Sequence, residues 1–147
     1  MDATSAYRKT DTQGKSQLDL VIQVYDGALD AYREAKDCYQ RENFQEGYER
    51  LEKGKRFLVH LFTTLDFDRG GEVAQQLGQL YSFCINETNV LEATKETAKI
   101  DDIINVLNNL REGWSGLRRQ QAESGQTPPQ PSADGPKANS EQFVTSA

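Results

Sequence analysis

Every proline of this 147-residue chain lies beyond residue 127: Pro128, Pro129, Pro131 and Pro136. A proline inside a helix removes a backbone donor and clashes with the preceding turn, so the first ~120 residues are free to be helical and the remainder is not. Apolar residues in that first stretch recur at helical spacing. Leu18, Val21, Tyr25, Ala28, Tyr32, Ala35 and Tyr39 follow one another three or four residues apart. They line one face of a first helix, whose start Ser16 and Asp19 mark as a capping box. A second stripe, Phe44, Tyr48, Leu51, Leu58, Phe62 and Leu65, follows Asn43, an N-cap candidate with Glu46 three residues on. A third runs through Val73, Leu77, Leu80, Cys84 and Leu91, and a fourth through Ile100, Ile103, Leu107, Leu110, Trp114 and Leu117.

Apolar positions that repeat near every seven residues favour shallow helix crossings, and short connections make neighbouring helices antiparallel. The expected fold is all-α, an antiparallel up-down-up-down four-helix bundle over residues 16–121, each helix roughly 35 Å long. A flexible N-terminal arm is expected over 1–15 and a disordered C-terminal tail over 122–147. The tail contains "SGQTPPQPSADGPKANSE", which holds no large apolar residue and cannot offset its ordering entropy by burial. Phe143 and Val144 near its end are a candidate docking motif set against that default.

Charge and composition exclude several functions. With 17 basic and 23 acidic residues the net charge is −6, so a nucleic-acid backbone is repelled on balance. There is no apolar run near about 18 residues and no signal-like N-terminal segment, which reads as a soluble cytoplasmic chain without membrane insertion. Cys38 and Cys84 form neither a disulfide scaffold nor a CxxC motif. A di-metal carboxylate bundle needs ExxH pairs, and His60 is the only histidine. A site joining Cys38 to His60 fails because the two lie on the order of 20 Å apart along their helices. No metal or other cofactor is therefore expected, and with no nucleophile elbow no enzyme activity is expected either. One alternative uses His60 itself. Bacterial phosphotransfer domains are four-helix bundles with a histidine on the second helix in an H-x-x-K-G setting, whereas this chain has "HLFTT", with Thr63 and Thr64 in the last two places. The cation that would hold the phosphoryl group is missing, and His60 reads as a partly buried packing residue.

Some apolar residues exceed what a four-helix core uses. Leu20 and Val24, Phe57 and Leu61, Tyr81 and Ile85, and Ile104 and Val106 lie outside a three-in-seven face. They either widen the core or line an exposed groove for an amphipathic partner helix, and spacing leaves both readings open.

Three segments, "VYDGALDAYREA" at 24–35, "LDFDRGGEVAQQLGQLYSF" at 65–83 and "LREGW" at 110–114, resemble those of the flagellar secretion chaperones of the FliS family. The likeness covers about residues 4–118. "GKSQ" stands where the family opens its first helix with Ser-Pro, and the proline-bearing tail is not a family feature. The resemblance implies a cytoplasmic, non-enzymatic bundle that binds the disordered C-terminal segment of flagellin. It implies further that the bundle prevents premature polymerisation and presents its cargo to the export gate protein FlhA, with no nucleotide or metal. Candidate cargo-binding residues are Leu77, Tyr81, Ile85, Ile104, Val106 and Leu110, each equally accounted for by core packing. Tyr7 matches a family aromatic position in a segment that covers an empty groove before cargo arrives, with an ordinary flexible arm as the alternative. An empty apolar groove also favours a weak homodimer. Tyr25, Asp26 and Gly27 are read as helix packing and Trp114 as the core anchor of the fourth helix. Gly70 and Gly71 are expected to end the second helix with a positive φ, and Glu72 to favour the start of the third. Asp66, Asp68 and Glu72 supply too few ligands for a cation loop, and a phosphate loop would need a lysine.

Overall fold

In the computed structural model the described residues are 3–7 and 17–123. Ser16 and the tail from residue 124 lie outside them. After a 3-10 turn at Ala3–Ala6 come α1 (Gln17–Gln40), α2 (Phe44–Thr63), α3 (Phe67–Thr94) and α4 (Ala98–Glu123). The chain divides into a unit through Trp114 and a second from Ser115, of which the last turns of α4 are described. The contacts below belong to the first unit.

Side-chain pairs along the helices give their directions. Tyr39 stacks edge-on against Phe44, ring centroids 5.3 Å apart, while Tyr32 lies over Gly54 and Phe57 over Gly27, so α1 and α2 are antiparallel. Tyr25 meets Tyr81 and the Tyr32 hydroxyl meets Thr88 Oγ1 at 2.7 Å, so α1 and α3 run parallel. Lys36 pairs with Asp101 at 2.7 Å, and Arg111 Nε donates to Asp26 Oδ1 at 2.5 Å, which sets α4 antiparallel to α1. The result is an up-down-up-down four-helix bundle. Every residue of the first sequence stripe is buried, as are Ile100, Ile103, Leu107 and Trp114 of the fourth. Among the described residues no helix is long and apolar enough to cross a membrane.

The middle two stripes match the sequence reading in part: Leu51, Leu58 and Leu65, and Leu77, Cys84 and Leu91, are buried. The buried positions of α2 are Gly47, Leu51, Gly54, Leu58 and Leu61, and Tyr48 is exposed. Two glycines complete this face because the Tyr39 and Tyr32 rings occupy the space above them, and a search for large apolar residues cannot register a glycine. In α3 the buried run is Leu77, Tyr81, Cys84, Thr88 and Leu91, with Leu80 outward. Adjacent helical residues lie about 100° apart, so only one of Leu80 and Tyr81 can face inward. Tyr81 does so because its hydroxyl finds buried partners. Burial pushes the Cys84 thiol up to about 12, which makes it a packing group rather than a reactive one.

The diglycine also sits differently. α2 ends at Thr63, and Asp66 caps α3, its carboxylate accepting from the Arg69 N–H at 3.1 Å. Gly71, at φ 53 and ψ −127, interrupts α3 after its first turn, a backbone geometry essentially confined to glycine. Gly70 has no positive φ. It is buried where a Cβ would lie 2.7 Å from the Ala6 Cα, so the chain's N-terminal segment can approach. Neither glycine ends α2. His60 is exposed rather than partly buried. Asn43 holds the N-cap position of α2 but donates to the Glu46 side chain instead of accepting from the backbone.

An acidic pair joins α2 to α3. Lys55 lies 2.7 Å from Glu52 and 3.3 Å from Glu92, with Asn89 at 2.8 Å. Glu92 Oε2 is buried without a hydrogen-bond partner. Burial, with Glu52 beside it, raises Glu92 from 4.5 to about 7, while the bond to Glu92 and then Lys55 lower Glu52. A raised carboxyl contributes stability that is complete below its unfolded value and lost as pH rises through its folded one. Urea midpoints should therefore show Glu92→Gln gaining on the parent chain between about pH 4.5 and about pH 7. A constant difference across that window would mean that Glu92 is not so perturbed.

Candidate binding site

One end of the bundle is covered by the chain's own N-terminal segment. Ala6 O accepts from the Asp66 N–H at 2.7 Å, Tyr7 forms an isolated antiparallel bridge with Leu65, and Gln17 Nε2 donates to Tyr7 O. These bonds satisfy backbone groups that a helix start leaves open, and Ala6 fits because it meets glycine at residue 70. Tyr7 is only 4% exposed, its ring edge-on to Trp114 with centroids 5.6 Å apart.

Beneath it lies a chain of buried hydroxyls. Tyr7 Oη is 2.6 Å from Tyr81 Oη, which is 2.5 Å from Tyr25 Oη, and the Trp114 indole bonds to Tyr25. Four donor protons share three hydrogen bonds here, so one phenol proton always points out of the chain. Burial is the first cause of upward shifts in all three phenols, to about 12 for Tyr25 and well above the usual tyrosine range for Tyr7 and Tyr81. They remain neutral at any physiological pH and act as fixed donors and acceptors.

Beside this cover, α1 and α2 leave an apolar groove of about 590 Å³, walled by Leu20, Val24, Phe57, Leu61 and Tyr7 with His60 at its rim. Leu20, Val24 and Phe57 belong to the apolar surplus noted in the sequence, yet no stripe marked them as one site. The nominated cargo residues are placed as follows. Tyr7, Leu77 and Tyr81 are buried, and Ile85, Ile104, Val106 and Leu110 are half-buried. Tyr7 and Tyr81 are brought into contact. Val106 and Leu110, four apart, share a face of α4, whereas Ile104 and Val106 are separated by about 200° and face different ways. Sequence reasoning singled out Tyr7, Tyr25 and Tyr81 separately. Their convergence has no local signal, since the three come from different elements.

The fold is a four-helix bundle whose own N-terminal segment is seated on its aromatic end, with an open apolar groove alongside. The sequence profile described as flagellar protein FliS matches residues 1–121, and the chain belongs to the FliS family. Similar relatives are the flagellar secretion chaperone FliS of Campylobacter jejuni, 28% identical over 76% of this chain and 88% of its own length, and that of Vibrio cholerae, 26% identical over 76% and 85%. A solved bacterial flagellar chaperone shares the fold, with a TM-score of 0.69 at 24% identity over 76% of this chain and 91% of that one. The family is one of flagellar export chaperones and not of enzymes.

Proposed function

We propose that the chain acts in the bacterial cytosol, binds the disordered C-terminal segment of flagellin, keeps it from polymerising and presents it to the export gate protein FlhA. The observation that carries this reading is the seated Ala3–Tyr7 segment, a short peptide held at the bundle's aromatic end by backbone bonds and one buried aromatic. Cargo that displaces it reaches Tyr81, Leu77 and Trp114 and gains a route into the α1–α2 groove. Ile85, Ile104, Val106 and Leu110 extend the contact along α3 and α4. Segments that order on binding spread over large surfaces at modest affinity per area, which suits a cargo later released. The same empty groove supports weak homodimers at high concentration. The Thr63 and Thr64 hydroxyls and the Thr64 N–H all go to the carbonyl of exposed His60, and Thr63 stands where a phosphotransfer motif places its lysine.

Calorimetry with flagellin and with flagellin lacking its C-terminal segment tests the reading. Heat should appear only with the first. Equal binding to both, or to neither, overturns the assignment.

A further inference from the structure

A second groove, of about 570 Å³, lies between Phe62 near the end of α2 and the Phe67 to Asn86 stretch of α3. It shares no lining residue with the α1–α2 groove. Its walls are three phenylalanines. Phe67 and Phe83 are each 45% exposed, and Phe62 meets Phe67 edge-on with centroids 6.4 Å apart. Between them Gly78 forms the floor, with the Phe62 and Phe67 rings within 3.6 Å of where a Cβ would stand. The rim carries Gln75, Gln79 and Asn86, whose side-chain amides make no hydrogen bond among the described residues.

This chemistry selects its occupant. No lining residue is charged, in a chain that is 27% charged, so a charged peptide finds no counter-ion there. Flat aromatic walls with a slot between them, edged by amide donors, suit a strand that offers proline rings to the walls and unbonded carbonyls to the rim. Polyproline II segments have that form: they arrive preordered, leave their carbonyls free and dock in aromatic-lined grooves. The sequence carries one proline cluster, Pro128-Pro129-Gln130-Pro131. Pro128 and Pro131 are three residues apart, the repeat of a polyproline II helix. From Ser124 to Ala133 the sequence bears no charge, which matches the groove. The geometry points to the α2–α3 groove as the docking site for the Pro128–Pro131 stretch of the chain's own C-terminal tail, laid across Phe62, Phe67 and Phe83. A docked tail shields aromatic surface that otherwise favours association between copies.

The test uses the full chain, isotope-labelled, beside a Pro128→Ala, Pro129→Ala, Pro131→Ala variant, whose changes lie outside the bundle. Outside the tail, amide resonances should differ only at the groove, at Gln75, Gly78, Gln79, Phe83 and Asn86. A synthetic peptide SGQTPPQPSADGP added to the triple variant should restore the parent positions, and the same peptide with alanines for prolines should not. Phe83→Ser in the triple variant should weaken the peptide about tenfold. Any of four results would overturn the proposal: parent and triple-variant spectra that coincide outside the tail, changes that fall at Leu20, Val24 and Phe57, an alanine peptide that acts equally well, or a flagellin C-terminal segment that moves the groove amides while the proline peptide leaves them unmoved.

Discussion

Tyr81→Ala is expected to lower the unfolding free energy by about 4 kcal/mol, a large part of the 5–15 kcal/mol typical of a domain. Two effects combine. The ring is fully buried, and truncating an aromatic of that size leaves a cavity that the core closes only partly. The hydroxyl also joins Tyr7 to Tyr25, and its loss leaves two buried phenols short of a partner, at about 1–3 kcal/mol. Tyr81→Phe separates the two, since the ring stays and only the hydroxyl goes. It should cost about 1–3 kcal/mol and alter Trp114 fluorescence, because the Tyr7 ring rests on the indole. Urea unfolding followed by circular dichroism gives both values. A cost below about 1 kcal/mol for Tyr81→Ala would place this residue outside the core and return it to the exposed groove that its spacing also allowed.

Gly71→Ala should destabilise by about 1–3 kcal/mol with the steepness of the urea transition unchanged. The backbone there, at φ 53 and ψ −127, is one that a Cβ opposes whatever space surrounds it. The control is Gly113→Ala on α4, where nothing lies within 4 Å of the new methyl. That change should be neutral or stabilising by up to about 1 kcal/mol, because alanine is the better helix former. Equal effects at the two glycines would mean that Gly71 does not hold the strained conformation. A local consequence accompanies the global one: Gly71 follows Gly70, against which Ala6 packs, so the variant should also loosen the seat of the N-terminal segment.

Helix number, class and direction were legible in the sequence because periodicity is a local property and prolines are absent before residue 128. The faces of α1 and α4 were legible for the same reason. The second and third stripes were legible in part: Leu51, Leu58 and Leu65, and Leu77, Cys84 and Leu91, are buried as their spacing predicts, whereas Tyr48 and Leu80 are exposed. Gly47 and Gly54 carry no apolar signal of their own and become core only because the Tyr39 and Tyr32 rings of α1 fill the space over them. Leu80 and Tyr81 are equally acceptable to a helical pattern, and hydroxyls brought from other elements decide between them. The diglycine was recognisable as a break, yet its place inside α3 depends on Asp66 capping a turn ahead of it.

What the sequence determined by itself was an all-α bundle and the family motifs, since both are written in residues close together along the chain. What only the tertiary structure decided was the site. Tyr7 could be read as part of a loose arm, and the structure instead buries it against Trp114 and Tyr81. The sequence marks Phe62 only as part of a core stripe and assigns Phe67 and Phe83 no helical role, and α2 and α3 set the three around Gly78. A binding surface is a sum of contacts between distant positions, and the free energy that selects it is released only when the helices pack.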